Sequence, residues 1–124
     1  MKKKKFDILY VDDEEDNLLA FRSVFRRFFN VYTVSGAQQA MEFLAERTVD
    51  LILSDQRMPG MTGVELCETI MQSHPQSVRM IVTGYSEMQP INAAIESGKI
   101  VSCIRKPWDV KELKKILEDA LEVS

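Results

Sequence analysis

Five short apolar runs recur along this chain, and between them the apolar residues fall at helical spacing. The runs are Phe6–Val11, Val31–Val34, Leu51–Leu53, Val78–Val82 and Ile100–Ile104. Each is rich in Val, Ile and Leu and is bounded by polar or turn residues. Four lack clean apolar–polar alternation, the pattern of strands covered on both faces. The run around Asn30–Val34 is shorter and more polar, which places it at a sheet edge.

Between the runs the period is that of a helix. Leu18, Phe21, Phe25 and Phe28 share one face, as do Ala37, Ala40, Met41 and Leu44. The spacing returns in Val64, Cys67, Ile70 and Met71, in Met88, Ile91 and Ile95, and in Val110, Leu113, Ile116, Leu117 and Leu121. Start signals agree: Ser35 precedes Gln38 by three, Thr62 precedes Glu65, Ser86 precedes Gln89 and Asp109 precedes Glu112, each a capping-box spacing or its Asp variant. Gly98 and the His74-Pro75 pair supply stops. The aromatics of the first helix, including Phe29, read as core at this spacing rather than as a cofactor box.

Five β–α units in succession leave little besides a parallel sheet with helices on both faces, because the crossovers are right-handed. The expected fold class is α/β: a doubly wound, five-stranded parallel sheet, (βα)5, in a three-layer sandwich. With 124 residues and no repeat, linker or low-complexity stretch, residues 1–124 read as one domain with a flexible Lys-rich start at residues 1–5.

Charge and composition exclude several classes. Sixteen Lys and Arg against nineteen Asp and Glu give −3, so no global basic field draws nucleic acid. Lys2–Lys5 is the one basic block and reads as a solvated tail. No apolar stretch approaches the ~18 residues of a membrane span, and the start lacks the apolar core of a secretion signal. The expected location is the cytoplasm. Cys67 and Cys103 form no CxxC pair and sit inside apolar patterns, as small buried hydrophobes do. His74, just before Pro75, reads as a helix-end residue.

In a doubly wound sheet, chemistry gathers at the carboxyl ends of the strands. There the sequence offers Asp12 and Asp13, then Asp55, then Thr83-Gly84, then Lys106-Pro107. Two carboxylates ~4 Å apart repel by about 4 kcal/mol at an effective dielectric near 20. Packing Asp12, Asp13 and Asp55 together therefore calls for a cation, and oxygen ligands with retained waters suit Mg²⁺. A carboxylate can attack phosphorus to give an acyl phosphate. Phosphoryl transfer then needs mainly positioning and neutralised oxygens, which Mg²⁺, Lys106 and Thr83 would supply.

The same residues carry a resemblance. Tyr10-Val11-Asp12-Asp13-Glu14, the stretch Ser54-Asp55-Gln56-Arg57-Met58-Pro59-Gly60-Met61-Thr62-Gly63, Ile81-Val82-Thr83-Gly84-Tyr85 and Lys106-Pro107-Trp108 resemble the receiver domain of bacterial two-component response regulators, over essentially the whole chain. The resemblance implies a flavodoxin-like sheet of order 2-1-3-4-5. It implies Asp55 as phosphoacceptor, charged by a histidine kinase or phosphotransfer protein. Asp13 would be a direct metal ligand, Asp12 an acid holding the metal largely through water, and the backbone carbonyl of Arg57 a further ligand. Thr83 would be the switch hydroxyl, Lys106 the cation on the phosphoryl group, and Gly84 a position kept small for the donor. The Lys106–Pro107 bond is expected to be cis.

One position departs from the family. Where receivers usually carry Tyr or Phe three residues before the lysine, this chain has Cys103, which puts the usual aromatic switch in doubt. Tyr85 is read as a rim residue controlling water access, with sensing of the phosphoryl group as the alternative. The implied readout surface is the fourth helix, fifth strand and fifth helix, with Ile91, Ile95, Ile100, Arg105 and Trp108; Trp108 is equally a packing residue. That surface would meet an output domain, a target protein or a second copy, with no direct contact to nucleic acid or membrane.

Two other classes compete. A receiver-fold scaffold or dimerisation module could signal without phosphate. A small hydrolase or flavin protein is the enzyme-class rival, but no GxxxxGK[ST] follows the first strand. An acidic turn there would repel a flavin phosphate. A haloacid-dehalogenase-type phosphatase wants a second aspartate two residues after the first, and Glu14 stands there. The end at Ser124, after the fifth helix, fits either a stand-alone receiver or a piece of a longer regulator.

Overall fold

The computed structural model describes residues 5–84 and 88–123. Most of the Lys-rich start, Tyr85 and the Ser86 cap lie outside the described residues. Strands and helices alternate as β1 (Asp7–Val11), α1 (Glu15–Phe25), β2 (Asn30–Val34), α2 (Ala37–Glu46), β3 (Leu51–Asp55), α3 (Gly63–Ser73), β4 (Val78–Thr83), α4 (Met88–Glu96), β5 (Ser102–Arg105) and α5 (Val110–Val123). All pairings are parallel and the order is β2-β1-β3-β4-β5. This is the doubly wound α/β class with the order that the resemblance implies, and β2 is an edge strand.

Side chains alternate across the sheet even where the sequence runs apolar without a break. Ile8, Tyr10, Leu51, Leu53, Val78, Met80 and Val82 pack with Phe21, Phe25, Leu113 and Leu117, on the side of α1 and α5. Leu9, Val11 and Ile52 pack with Ala40, Leu44, Leu66 and Ile70, from α2 and α3. Ile81 joins Val64, Cys67, Ile91 and Ala94 between α3 and α4. A run of buried residues on both faces is what makes these strands legible as continuous apolar segments.

The caps divide. Thr62 and Glu65 form the reciprocal capping box of α3: Glu65 N donates to Thr62 Oγ1 at 3.1 Å and Thr62 N to Glu65 Oε1 at 2.9 Å. Glu112 N donates to Asp109 Oδ2 at 3.0 Å at the start of α5. Ser35 does not cap α2: Gly36 takes that position in extended backbone without a side-chain bond. The stops hold. Gly98, at φ +80°, turns the chain after α4, and His74 ends α3, its Nε2 2.9 Å from the Leu44 carbonyl oxygen.

Two expected core positions are at the surface. Ile95 is exposed because Ile91 and Ala94 direct α4 inward on its other flank, and Val110 is exposed at the first residue of α5. The last strand starts at Ser102 rather than Ile100. Ile100 is buried with the α3–α4 cluster before the strand begins, while Val101 faces solvent. Arg79, inside an apolar run, is buried with its guanidinium donating to the carbonyls of Pro75, Ser77, Gly98 and Lys99 at the amino end of the sheet.

The first layer centres on Phe21. Its ring stacks on Tyr10 with centroids 4.3 Å apart, tilts against Phe25 at 4.7 Å and meets Trp108 edge-on at 6.2 Å. Phe21→Ala is expected to cost about 3–5 kcal/mol by loss of burial and the cavity left behind, measured as the shift in urea-unfolding free energy.

Candidate functional site

Parallel register brings the strand ends level. Val11 lies beside Val34 and Ser54, Asp55 beside Val82, and Thr83 beside Arg105. Asp55 and Thr83 are thus the last residues of β3 and β4, while Asp12 and Lys106 directly follow β1 and β5. Two backbone bonds tie the ends together: Gln56 N donates to Val82 O at 3.0 Å, and Lys106 N donates to Thr83 O at 2.8 Å.

Asp12, Asp13 and Asp55 each offer a carboxylate oxygen, all within 4.8 Å of one another. Asp12 is fully buried, Asp55 is 7% exposed and Asp13 is open to solvent. Lys106 Nζ stands 3.3 Å from Asp55 Oδ1 and 3.7 Å from Asp12 Oδ2. Three carboxylates against one ammonium leave a formal balance of −2 at the cluster. Hard oxygen donors with unmet negative charge fit a hard divalent cation.

Burial pushes the Asp55 carboxyl above its ordinary value; Lys106 pulls it back down, and Asp12 adds to the rise. The phenol of Tyr10 is likewise pushed far up, chiefly by burial and then by the Asp12 charge, and stays protonated. It can therefore donate, and Tyr10 OH reaches Asp12 Oδ2 at 2.9 Å. Asn17 Nδ2 reaches the same oxygen at 3.1 Å, and Glu14 N reaches Oδ1 at 2.9 Å.

Behind Asp55 the start of α3 is pressed against the strand. A Cβ on Gly63 would lie 2.5 Å from the Asp55 carbonyl oxygen and 2.8 Å from Ile81 Cδ1. Gln56 holds this approach: its carbonyl accepts from Gly63 N at 3.0 Å and its Oε1 from Val64 N at 2.9 Å. Ser54 Oγ donates to the Asp55 carbonyl oxygen at 2.9 Å.

The remaining sequence-derived residues sit around this centre. Thr83 is buried at the end of β4, Arg57 is exposed on the loop after β3, and Gly84 is half-buried with no described atom within 4 Å of where a Cβ would be. The Lys106–Pro107 bond is cis. Cys103 lies half-buried against the α3–α4 cluster, three residues before Lys106, so no aromatic ring occupies that place. Burial raises its thiol, and it raises the fully buried Cys67 thiol to about 12. Trp108 packs on Phe21 and Phe25, which makes it part of the core layer. In the sequence Tyr10 and Gly63 stand out only as motif residues without a role, and Asn17 not at all. The signal for Tyr10 was its place two residues before Asp12, on the same face of the first strand.

Two outcomes follow from this geometry. Gly63→Ala is expected to destabilise by about 1–3 kcal/mol through overpacking, read by urea unfolding, because the added methyl meets backbone rather than a side-chain tip. Asp55→Asn in metal-free buffer should be more stable than the parent chain near neutral pH. An acid whose folded pKa is raised adds stability below its unfolded pKa and loses it as pH rises through the folded one. The gap between the two proteins should therefore begin to close as pH falls through the raised Asp55 value and be gone below the ordinary carboxylate range, measured by unfolding across pH.

Comparison with known proteins agrees with this arrangement. The family model described as "Response regulator receiver domain" matches residues 8–118. The hydrogenase transcriptional regulatory protein HoxA of Cupriavidus necator is 37% identical over 122 residues, covering 98% of this chain and 25% of that protein. The DNA-binding transcriptional regulator NtrC of Escherichia coli K12 is 35% identical over 89 residues, covering 72% of this chain and 19% of its own length. The chain thus spans about a quarter or less of these two relatives. The signal receiver domain of an HD domain-containing protein from Pseudomonas fluorescens Pf-5 superposes with a TM-score of 0.89 at 34% identity, covering 96% of each chain. By its sequence and by the acid cluster at its strand ends, the chain belongs to the receiver-domain family of response regulators.

Proposed function

We propose that the chain is a phosphorylation switch whose acceptor is Asp55. The donor would be a phosphohistidine on a histidine kinase or phosphotransfer protein. An Asp55 carboxylate oxygen forms a bond to phosphorus as the P–N bond breaks, and the departing imidazole keeps the electron pair and is protonated. The product is an acyl phosphate on the chain itself, so the protein turns over no external substrate. Lys106 would neutralise one phosphoryl oxygen and the Thr83 hydroxyl would donate to another. Asp12, Asp13, Asp55 and the Arg57 carbonyl would hold Mg²⁺, which when bound neutralises charge on the phosphoryl oxygens and the acid cluster.

The observation that carries this reading is the meeting of three carboxylates within 4.8 Å with Lys106 3.3 Å from Asp55. Crowded acids beside one ammonium serve a cation and a phosphoryl group. Gly84, small and open on the side of the described residues, leaves room for a donor.

The output would run through α4, β5 and α5 to an output domain, a target or a second copy. Ile95, Val101, Arg105 and Val110 are among the exposed residues there, whereas Ile91 and Ile100 are buried and cannot meet a partner directly. A cytoplasmic site of action accords with this partner class. Among the described residues no helix is long and apolar enough to cross a membrane.

Cys103 favours a second reading, a scaffold or dimerisation module that signals without phosphate, because the ring that usually moves with the switch is missing. Mg²⁺ titration separates the two, since a scaffold needs no Mg²⁺. With Mg²⁺ and acetyl phosphate, intact-protein mass spectrometry should record one added phosphoryl group. Asp55→Asn should lose it altogether, and Lys106→Ala should slow its formation by about 10²-fold or more. Undiminished labelling of Asp55→Asn would refute the assignment.

A further inference from the structure

We infer that Tyr10 and Asn17 are positioning residues that keep the Lys106 ammonium on Asp55 by satisfying Asp12 with neutral donors. The inference rests on the phosphorylation reading for its consequence, but on geometry alone for its cause. Asp12 is fully buried and has no solvent to satisfy it. Its Oδ1 is taken by Glu14 N at 2.9 Å, and its Oδ2 by Tyr10 OH at 2.9 Å and Asn17 Nδ2 at 3.1 Å. A carboxylate oxygen has about two lone-pair sites, so Oδ2 is filled before Lys106 arrives.

The ammonium then stands 3.7 Å from Asp12 and 3.3 Å from Asp55. Without the two neutral donors, Lys106 is the nearest remaining donor to a buried anion, and a buried acceptor left unpaired is costly. It would move toward Asp12 and away from the acceptor. The ammonium has free space on the side of the two donors, because Tyr10, Asn17 and Lys106 line one cavity with Trp108.

Tyr10 is suited to the task by its rigidity. Its ring lies 8° from parallel on Phe21, and Phe21 meets Trp108 edge-on two residues from Lys106. The hydroxyl is thus held against Asp12 by the same aromatic layer that supports the turn carrying the lysine.

Tyr10→Phe keeps the ring and deletes the hydroxyl; Asn17→Ala removes the second donor from a partly exposed position and guards against a folding failure in the first variant. In metal-free crystal structures of both, Lys106 Nζ should lie within hydrogen-bond distance of Asp12 and beyond it from Asp55. The saturating rate of phosphorylation by acetyl phosphate should fall about tenfold to a hundredfold in Tyr10→Phe, with the half-saturating concentration unchanged. An unmoved Lys106, or a moved one with the parent's rate, overturns the inference. A parent chain that takes up no phosphoryl group overturns the proposed function alone, and the Lys106 distances still decide the roles of Tyr10 and Asn17.

Discussion

Like charges held close together are the constraint on which the upper end of this molecule is built. Asp12, Asp13 and Asp55 offer oxygens within 4.8 Å of one another, and two unit charges at ~4 Å repel by about 4 kcal/mol at a dielectric near 20. The fold imposes this crowding because parallel strands all end on one side. It is offset in part by Lys106 and by the neutral donors around Asp12. What remains uncompensated makes the site receptive to a cation and to a group that shares one.

The same crowding explains the local architecture. Asp55 can be held against the start of α3 only because Gly63 has no Cβ to strike its carbonyl oxygen. Ser54 and Gln56, its two neighbours in the chain, fix the backbone on either side of it. Such a residue is held by its main chain, which leaves its carboxylate available for chemistry. At the opposite end of the sheet Arg79 draws four carbonyls together, so both ends of the central strands are tied by polar contacts and the apolar layers lie between.

The missing ring at Cys103 changes how movement at the site would reach the surface. An aromatic layer of Tyr10, Phe21, Phe25 and Trp108 lies on the other face of the sheet. That layer touches the acid cluster through a hydroxyl and the lysine turn through an indole. Any rearrangement of the fully buried Asp12 therefore meets packed rings before it meets solvent.

Much of this was legible in the chain. Strands buried on both faces read as apolar runs, and Thr62 with Glu65 announces α3, because those signals are local in sequence. Asp12, Asp13, Asp55, Thr83 and Lys106 could be named as one group because every parallel strand delivers its last residues to the same edge. Ser35 misled because a hydroxyl at cap spacing says nothing about the backbone at Gly36. Ile91 and Ile100 are buried although the resemblance puts them on the readout surface, and Ile95 is exposed although it shares the helical stripe of Ile91, because spacing marks a stripe without saying which flank meets the sheet. Local pattern by itself determined the elements, their order and the chemical types at the strand ends. Tertiary packing alone decided that Tyr10 and Asn17 share an oxygen with Lys106 in reach, and that Gly63 must be bare. Those facts depend on distances between segments far apart in the chain, which no local period encodes.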